Sequence, residues 1–162
     1  VIDAVFEALL DEIVSACRQV YADRLDGVVV FGSVARGTMR SDSDIDLLVV
    51  AEPLPDGRIP RMDEFDAVEV AVGHAMVVAA GKGVTTRISP IVRALDECRS
   101  GGFLLYDIAC DGRVLVDRAG SVDALLSEVR ERLRVRGARR ETRGRRYWML
   151  EPDLKPGDVV VL

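Results

Sequence analysis

The chain has 162 residues, 49% hydrophobic and 30% charged, with a net charge of −5; that suffices for one domain with a real core and is too short for two ordinary ones. This mixture excludes a disordered chain, which would lack the apolar side chains needed to offset ordering entropy. No run approaches the roughly 18 apolar residues that span a bilayer, and the N-terminus opens on acidic rather than basic residues, so the expected address is the cytoplasm, with no membrane contact. Cys17, Cys98 and Cys110 are odd in number and form no C-x-x-C pair, which argues against a disulfide framework and a zinc site and for reduced, mostly buried thiols.

In chain order, Ile2, Phe6, Leu9, Ile13, Cys17 and Val20 step by three or four and predict an amphipathic helix over 2–21. Asp26-Gly27 reads as its break, and Val28–Phe31 as a buried strand ending at Gly32-Ser33. Ser33 suits the cap of a short helix that Gly37 stops, and the polar run 38–43 a loop. Asp44–Val50 is expected as the second strand, 60–80 as a helix with Pro60 at its first position, and Val84–Val92 as the third strand. Helical turns follow around 95–99 and 103–109, then a short strand over 113–117 and a helix over 122–136 stopped by Gly137. Residues 139–150 resemble a hairpin, and Pro152, Pro156 and Gly157 punctuate a Val-rich tail. No repeat or linker divides the chain, so residues 1–162 are expected to form a single α+β domain.

The informative stretch runs from Gly32 to Val50. Where a strand meets Gly32-Ser33 and a helix begins, unpaired backbone N–H groups and the helix dipole favour an anion. Glycine lets a phosphate approach closely, and the Ser33 hydroxyl adds a donor. Asp44 and Asp46, two apart on a strand, share one face while Ile45 and Leu47 share the other. Like charges so placed repel, and a divalent cation relieves the repulsion; oxygen-only ligation suits Mg²⁺ or Mn²⁺. Side by side, the two halves would hold a triphosphate and present metal at its α-phosphate, which implies nucleotidyl transfer. Arg36, a turn into the helix, suits a triphosphate contact.

Gly32-Ser33, ten residues, then Asp44-Ile45-Asp46, with Ala35-Arg36-Gly37 and Ser43 to Leu47 around them, resembles the signature of the minimal nucleotidyltransferase family of the DNA polymerase β-like superfamily. Ile88–Val92, Tyr147-Trp148 and the Pro152–Gly157 tail are similar to its stand-alone prokaryotic members. The resemblance implies a mixed sheet flanked by helices, with the C-terminal helix and hairpin following. It also implies Asp44 and Asp46 as catalytic metal ligands, Gly32, Ser33 and Arg36 as nucleotide-binding residues, ATP or another NTP as substrate, and Mg²⁺ or Mn²⁺. Catalytic members usually supply a third carboxylate from a later strand. Here 84–92 offers Thr85, Arg87 and Ser89 but no acid, leaving Asp66 or Glu69 on the preceding helix as substitutes, although both fit a solvated helix face.

The expected function is transfer of an NMP, by resemblance AMP from ATP, to a hydroxyl acceptor with release of pyrophosphate. The short chain favours an acceptor on another macromolecule, and the resemblance points to a HEPN-domain toxin that the protein neutralises as antitoxin. The alternative is a noncatalytic nucleotide-binding partner of the same fold. Between Arg130 and Arg146, nine arginines face two glutamates, a local +7 against −12 for the remainder. That strip suits an RNA as a less favoured partner, or a solvated helix and hairpin. The opening helix and Val-rich tail would support a homo-oligomer or complete the core. His74 is expected to be a packed or surface helix residue rather than a general base, Trp148 to pack on the sheet, and Asp42 to cap its own loop.

Overall fold

The computed structural model describes residues 1–150 other than Gly101 and Gly144, so the Pro152–Gly157 and Val159–Leu162 tail lies outside the described residues. Helix α1 (Ile2–Tyr21) ends where Ala22 takes a φ of 49°, and a 3-10 turn over Ala22–Arg24 leads into β1 (Leu25–Phe31). A single turn, α2 (Gly32–Ala35), and a loop precede β2 (Ile45–Ala51). Helix α3 (Arg58–Gly81), β3 (Ile88–Arg93), α4 (Leu95–Arg99), α5 (Phe103–Asp111), β4 (Arg113–Asp117) and α6 (Ser121–Val135) follow, and β5 (Arg139–Arg143) and β6 (Arg145–Met149) make a hairpin.

The main sheet has the order β3-β2-β1-β4, with β2 and β3 parallel and the other neighbours antiparallel. Period-two alternation divides the core. Val28, Val30, Ile45, Leu47 and Val49 pack with α1 and α3, while Val29, Phe31, Leu48 and Val50 pack with α5 and α6. The expected mixed sheet flanked by helices is therefore present, and the apolar face of α1 (Phe6, Leu9, Ile13, Cys17) is spent on the core.

Three boundaries depart from the sequence reading. Asp26-Gly27 lies inside β1 rather than breaking the chain, because Leu25 pairs with Ala51 and Gly27 pairs with both Val50 and Asp117. A β-carbon at Gly27 would sit 2.5 Å from Val122 Cγ2 of α6 and 2.8 Å from the Val116 carbonyl, so glycine serves close helix–sheet approach there. The third strand begins at Ile88, four residues later than expected, and Pro60 is the third helical residue of α3. Cys17 and Cys98 are buried and Cys110 is exposed, all three free thiols; burial pushes Cys98 up to about 11.

Candidate active site

The site forms where β1 leaves the sheet and β2 enters it. Antiparallel pairing places Phe31, the last residue of β1, opposite Asp46 near the start of β2. The turn that follows Phe31 therefore comes back against the aspartates. Gly32 has a φ of +72°, and a β-carbon built on it would overlap the Asp46 carboxylate Oδ2. Only glycine lets that carboxylate lie so close against the turn.

Ser33 is not the cap of α2. The N-cap is Phe31, no side chain caps the turn, and Gly32 and Ser33 are its first two helical residues. Their N–H groups belong to the set that has no intrahelical acceptor. Gly37, with φ +66°, closes the turn: its N–H donates to the Val34 carbonyl at 3.2 Å, and the Thr38 N–H to the Ser33 carbonyl at 3.0 Å.

Asp44 stands one residue before β2 and Asp46 within it, on the sheet face shared by Phe31, Leu48 and Val50. Partial burial raises the Asp46 pKa first and the neighbouring Asp44 charge second, while a Ser89 hydrogen bond and Arg36 oppose them. The like-charge interaction is the mark of a site suited to a cation. Hard oxygen donors on a mutually repelling pair fit Mg²⁺ or Mn²⁺.

Arg36 lies at the end of α2, its Nη1 3.5 Å from Asp111 Oδ2 at the end of α5. The same Asp111 oxygen accepts from Arg140 Nη1 of β5 at 2.7 Å. Arg140 also lies 5.8 Å from the Trp148 ring centroid, and Trp148 Nε1 donates to Asp107 at 3.0 Å. The hairpin is thereby tied to α5 beside the site, with Trp148 edge-on to Tyr106. Sequence reasoning missed Asp111 and the role of Arg140, because the signal is a pairing across 29 to 75 positions of chain rather than a local motif.

The third strand supplies no acid. Ser89 pairs in register with Asp46, and Arg87 Nε lies 3.5 Å from Asp44 Oδ1. Asp66 and Glu69 are exposed on α3, and among the described residues no group of three or more His, Cys, Asp or Glu side chains is arranged to hold a metal ion. Neither helix acid joins the pair, because α3 packs on the opposite face of the sheet from Asp46. Asp42 is held by Arg40 through bonds of 3.0 and 2.7 Å rather than turned to the site. His74 is exposed on α3.

Residues 10–79, which contain every element of this turn and aspartate pair, match the family model described as "Nucleotidyltransferase domain". The chain is 49% identical over 53 residues to "Putative protein adenylyltransferase MJ1305" of Methanocaldococcus jannaschii, a match covering 33% of this chain and 36% of that protein. It is 39% identical over 46 residues to "Putative protein adenylyltransferase MJ0604" of the same organism, covering 28% and 46%. The matched region thus spans between a third and a half of these relatives. In fold, the chain resembles the structure described as "Crystal structure of the toxin-antitoxin with AMP-PNP" (TM-score 0.50, 20% identity, 75% of this chain and 83% of that one). It also resembles a spectinomycin adenyltransferase of Enterococcus faecialis solved with ATP and spectinomycin (TM-score 0.51, 16% identity, 77% and 63%).

Proposed function

We propose that this chain, whose residues 10–79 match a nucleotidyltransferase domain model, transfers a nucleoside monophosphate, AMP from ATP, to a hydroxyl acceptor on a protein partner. The observation that carries this reading is the close apposition of Gly32 to Asp46, which sets the first turn of α2 directly against the carboxylate pair. The Gly32 and Ser33 N–H groups receive phosphate oxygens, and Arg36 lends a planar cationic donor. Asp44 and Asp46 would hold Mg²⁺ or Mn²⁺, which when bound neutralises phosphate charge. The acceptor hydroxyl gives up its proton to solvent as its oxygen bonds to the α-phosphorus, and the bond to the departing pyrophosphate breaks.

The partner class follows from two lines of support. The sequence signature resembles that of minimal nucleotidyltransferases, and one fold neighbour is a toxin–antitoxin solved with AMP-PNP. A HEPN-domain toxin is accordingly the proposed acceptor, with this chain as the antitoxin that modifies it. A cytoplasmic location is proposed on the same two resemblances. No helix among the described residues is long and apolar enough to cross a membrane.

A second reading, a noncatalytic nucleotide-binding partner, is favoured by one observation: Ser89 occupies the β3 position beside Asp46 and carries no charge. Incubation with α-labelled ATP, Mg²⁺ and a HEPN-domain protein as acceptor separates the two. Covalent label on the partner, lost by at least about a hundredfold in Asp44→Asn, is expected from an enzyme whose electrostatic stabilisation rests on that carboxylate. A stable complex with an unlabelled partner would establish the second reading.

A further inference from the structure

The start of β3 brings positive charge and a hydroxyl to the aspartate pair, and its backbone fixes both in place. The Thr85 N–H donates to the Ser41 carbonyl at 2.7 Å, Thr86 Oγ1 to the Ser43 carbonyl at 2.7 Å, and the Ile45 N–H to the Arg87 carbonyl at 2.8 Å. Residues 85–87 are thus laced along the loop that delivers Asp44. Arg87 arrives with Nε 3.5 Å from Asp44 Oδ1, and two residues on, parallel register sets Ser89 beside Asp46.

The Arg87 side chain is 84% exposed and Asp44 43% exposed, so this ion pair is screened by solvent and readily exchanged. Arg87 lies against Asp44, and Arg36, which pairs with Asp111, also acts on Asp46. One divalent cation can replace Arg87 at the carboxylates while the displaced guanidinium turns to the phosphate oxygens beside it. A second divalent cation would find no third carboxylate and would face Arg36 and Arg87 as like charges.

We propose that the site takes a single divalent cation with its triphosphate, and that Arg87 is a further substrate-contacting residue supplying the second positive charge. Arg87 covers Asp44 before the ligands arrive and binds phosphate once the cation holds the carboxylates. This inference rests on the nucleotidyl-transfer reading and specifies its charge arrangement.

The test is Mn²⁺ titration followed by electron paramagnetic resonance, with and without α,β-methylene-ATP. Wild type is expected to bind one Mn²⁺ per chain with the analogue present, and Ser89→Asp, which adds the missing carboxylate, two. Arg87→Ala is expected to tighten nucleotide-free Mn²⁺ binding about threefold or more and to weaken analogue binding about tenfold, with Arg87→Lys recovering part of the latter. Opposite signs in one variant are not produced by simple loss of structure. Two Mn²⁺ ions in wild type, or both affinities of Arg87→Ala moving together, would overturn the inference and leave the transferase reading standing. Absence of both Mn²⁺ and analogue binding would remove the reading itself and the inference with it.

Discussion

A methyl group at position 32 would meet two obstacles at once: a φ of +72° that side chains rarely adopt, and the Asp46 carboxylate in the space the methyl needs. Gly37 provides an internal control, with φ +66° and nothing within 4 Å of an added β-carbon. Both Gly32→Ala and Gly37→Ala should lose about 1–2 kcal/mol of stability from the left-handed backbone. Only Gly32→Ala should also lose nucleotide affinity, by about tenfold or more, since only there does the methyl displace a carboxylate proposed to hold the cation. Equal nucleotide affinities in the two variants, measured by calorimetry, would contradict the role given to the Gly32–Asp46 contact. Ser33 and Arg36 lie on the same turn, and Asp111 pairs with Arg36 while also pairing with Arg140.

At the level of elements, β1 is built to be approached from both faces. Gly27 admits Val122 of α6 on one of them, and Gly27→Ala should cost about 1–3 kcal/mol by overpacking. Combining it with Val122→Ala should recover part of that loss, a coupling that a double-mutant cycle measures; strict additivity would show that the two do not meet. On the other face α1 and α3 close the core around Phe6 and Phe65, both fully buried. Helix α4 is anchored differently. Its Glu97 accepts two bonds from Arg61, at 2.6 and 2.8 Å, and one from the Ala94 N–H at 3.0 Å. Arg61 first and the Ala94 N–H second lower its pKa from 4.5 to about 2. A depressed folded pKa means the contribution is complete above 4.5 and fades as pH falls towards 2. Glu97→Gln should therefore cost up to about 1 kcal/mol at neutral pH, modest because the carboxylate is partly exposed, and next to nothing near the acid limit. Denaturant melts across that range would show an undiminished penalty at low pH if the ion pair were not its source.

Across the whole molecule, what was legible in sequence was local. Strand runs of Val and Ile, the step-of-three-or-four helix at the N-terminus, and the Gly32-Ser33 to Asp44-Asp46 spacing each declare themselves within twenty residues, and all appear in the fold. The features that sequence reading missed are set by distant partners. Asp26-Gly27 looked like a break because Gly and Asp disfavour strands, yet pairing on two sides and the approach of α6 hold them in one. Ser33 looked like a cap because its type suits one, whereas the tight turn from Phe31 leaves it a first-turn residue. The Arg87–Asp44 and Asp111–Arg36–Arg140 contacts join separate segments and leave no periodic trace. The arginine strip is partly explained by the same network, since Arg130 donates to the Ala109 carbonyl, Arg134 pairs with Glu131 and Arg140 serves Asp111.

The most direct measurement is a crystal structure with α,β-methylene-ATP and Mn²⁺, using manganese anomalous scattering to locate the ion. The expected result is an anomalous peak about 2.1–2.3 Å from carboxylate oxygens of both Asp44 and Asp46, with triphosphate oxygens within hydrogen-bond reach of the Gly32 and Ser33 N–H groups. A nucleotide lodged elsewhere, such as the arginine-lined cleft between Arg58, Arg61 and Arg93, with no ion at the aspartates, would contradict it.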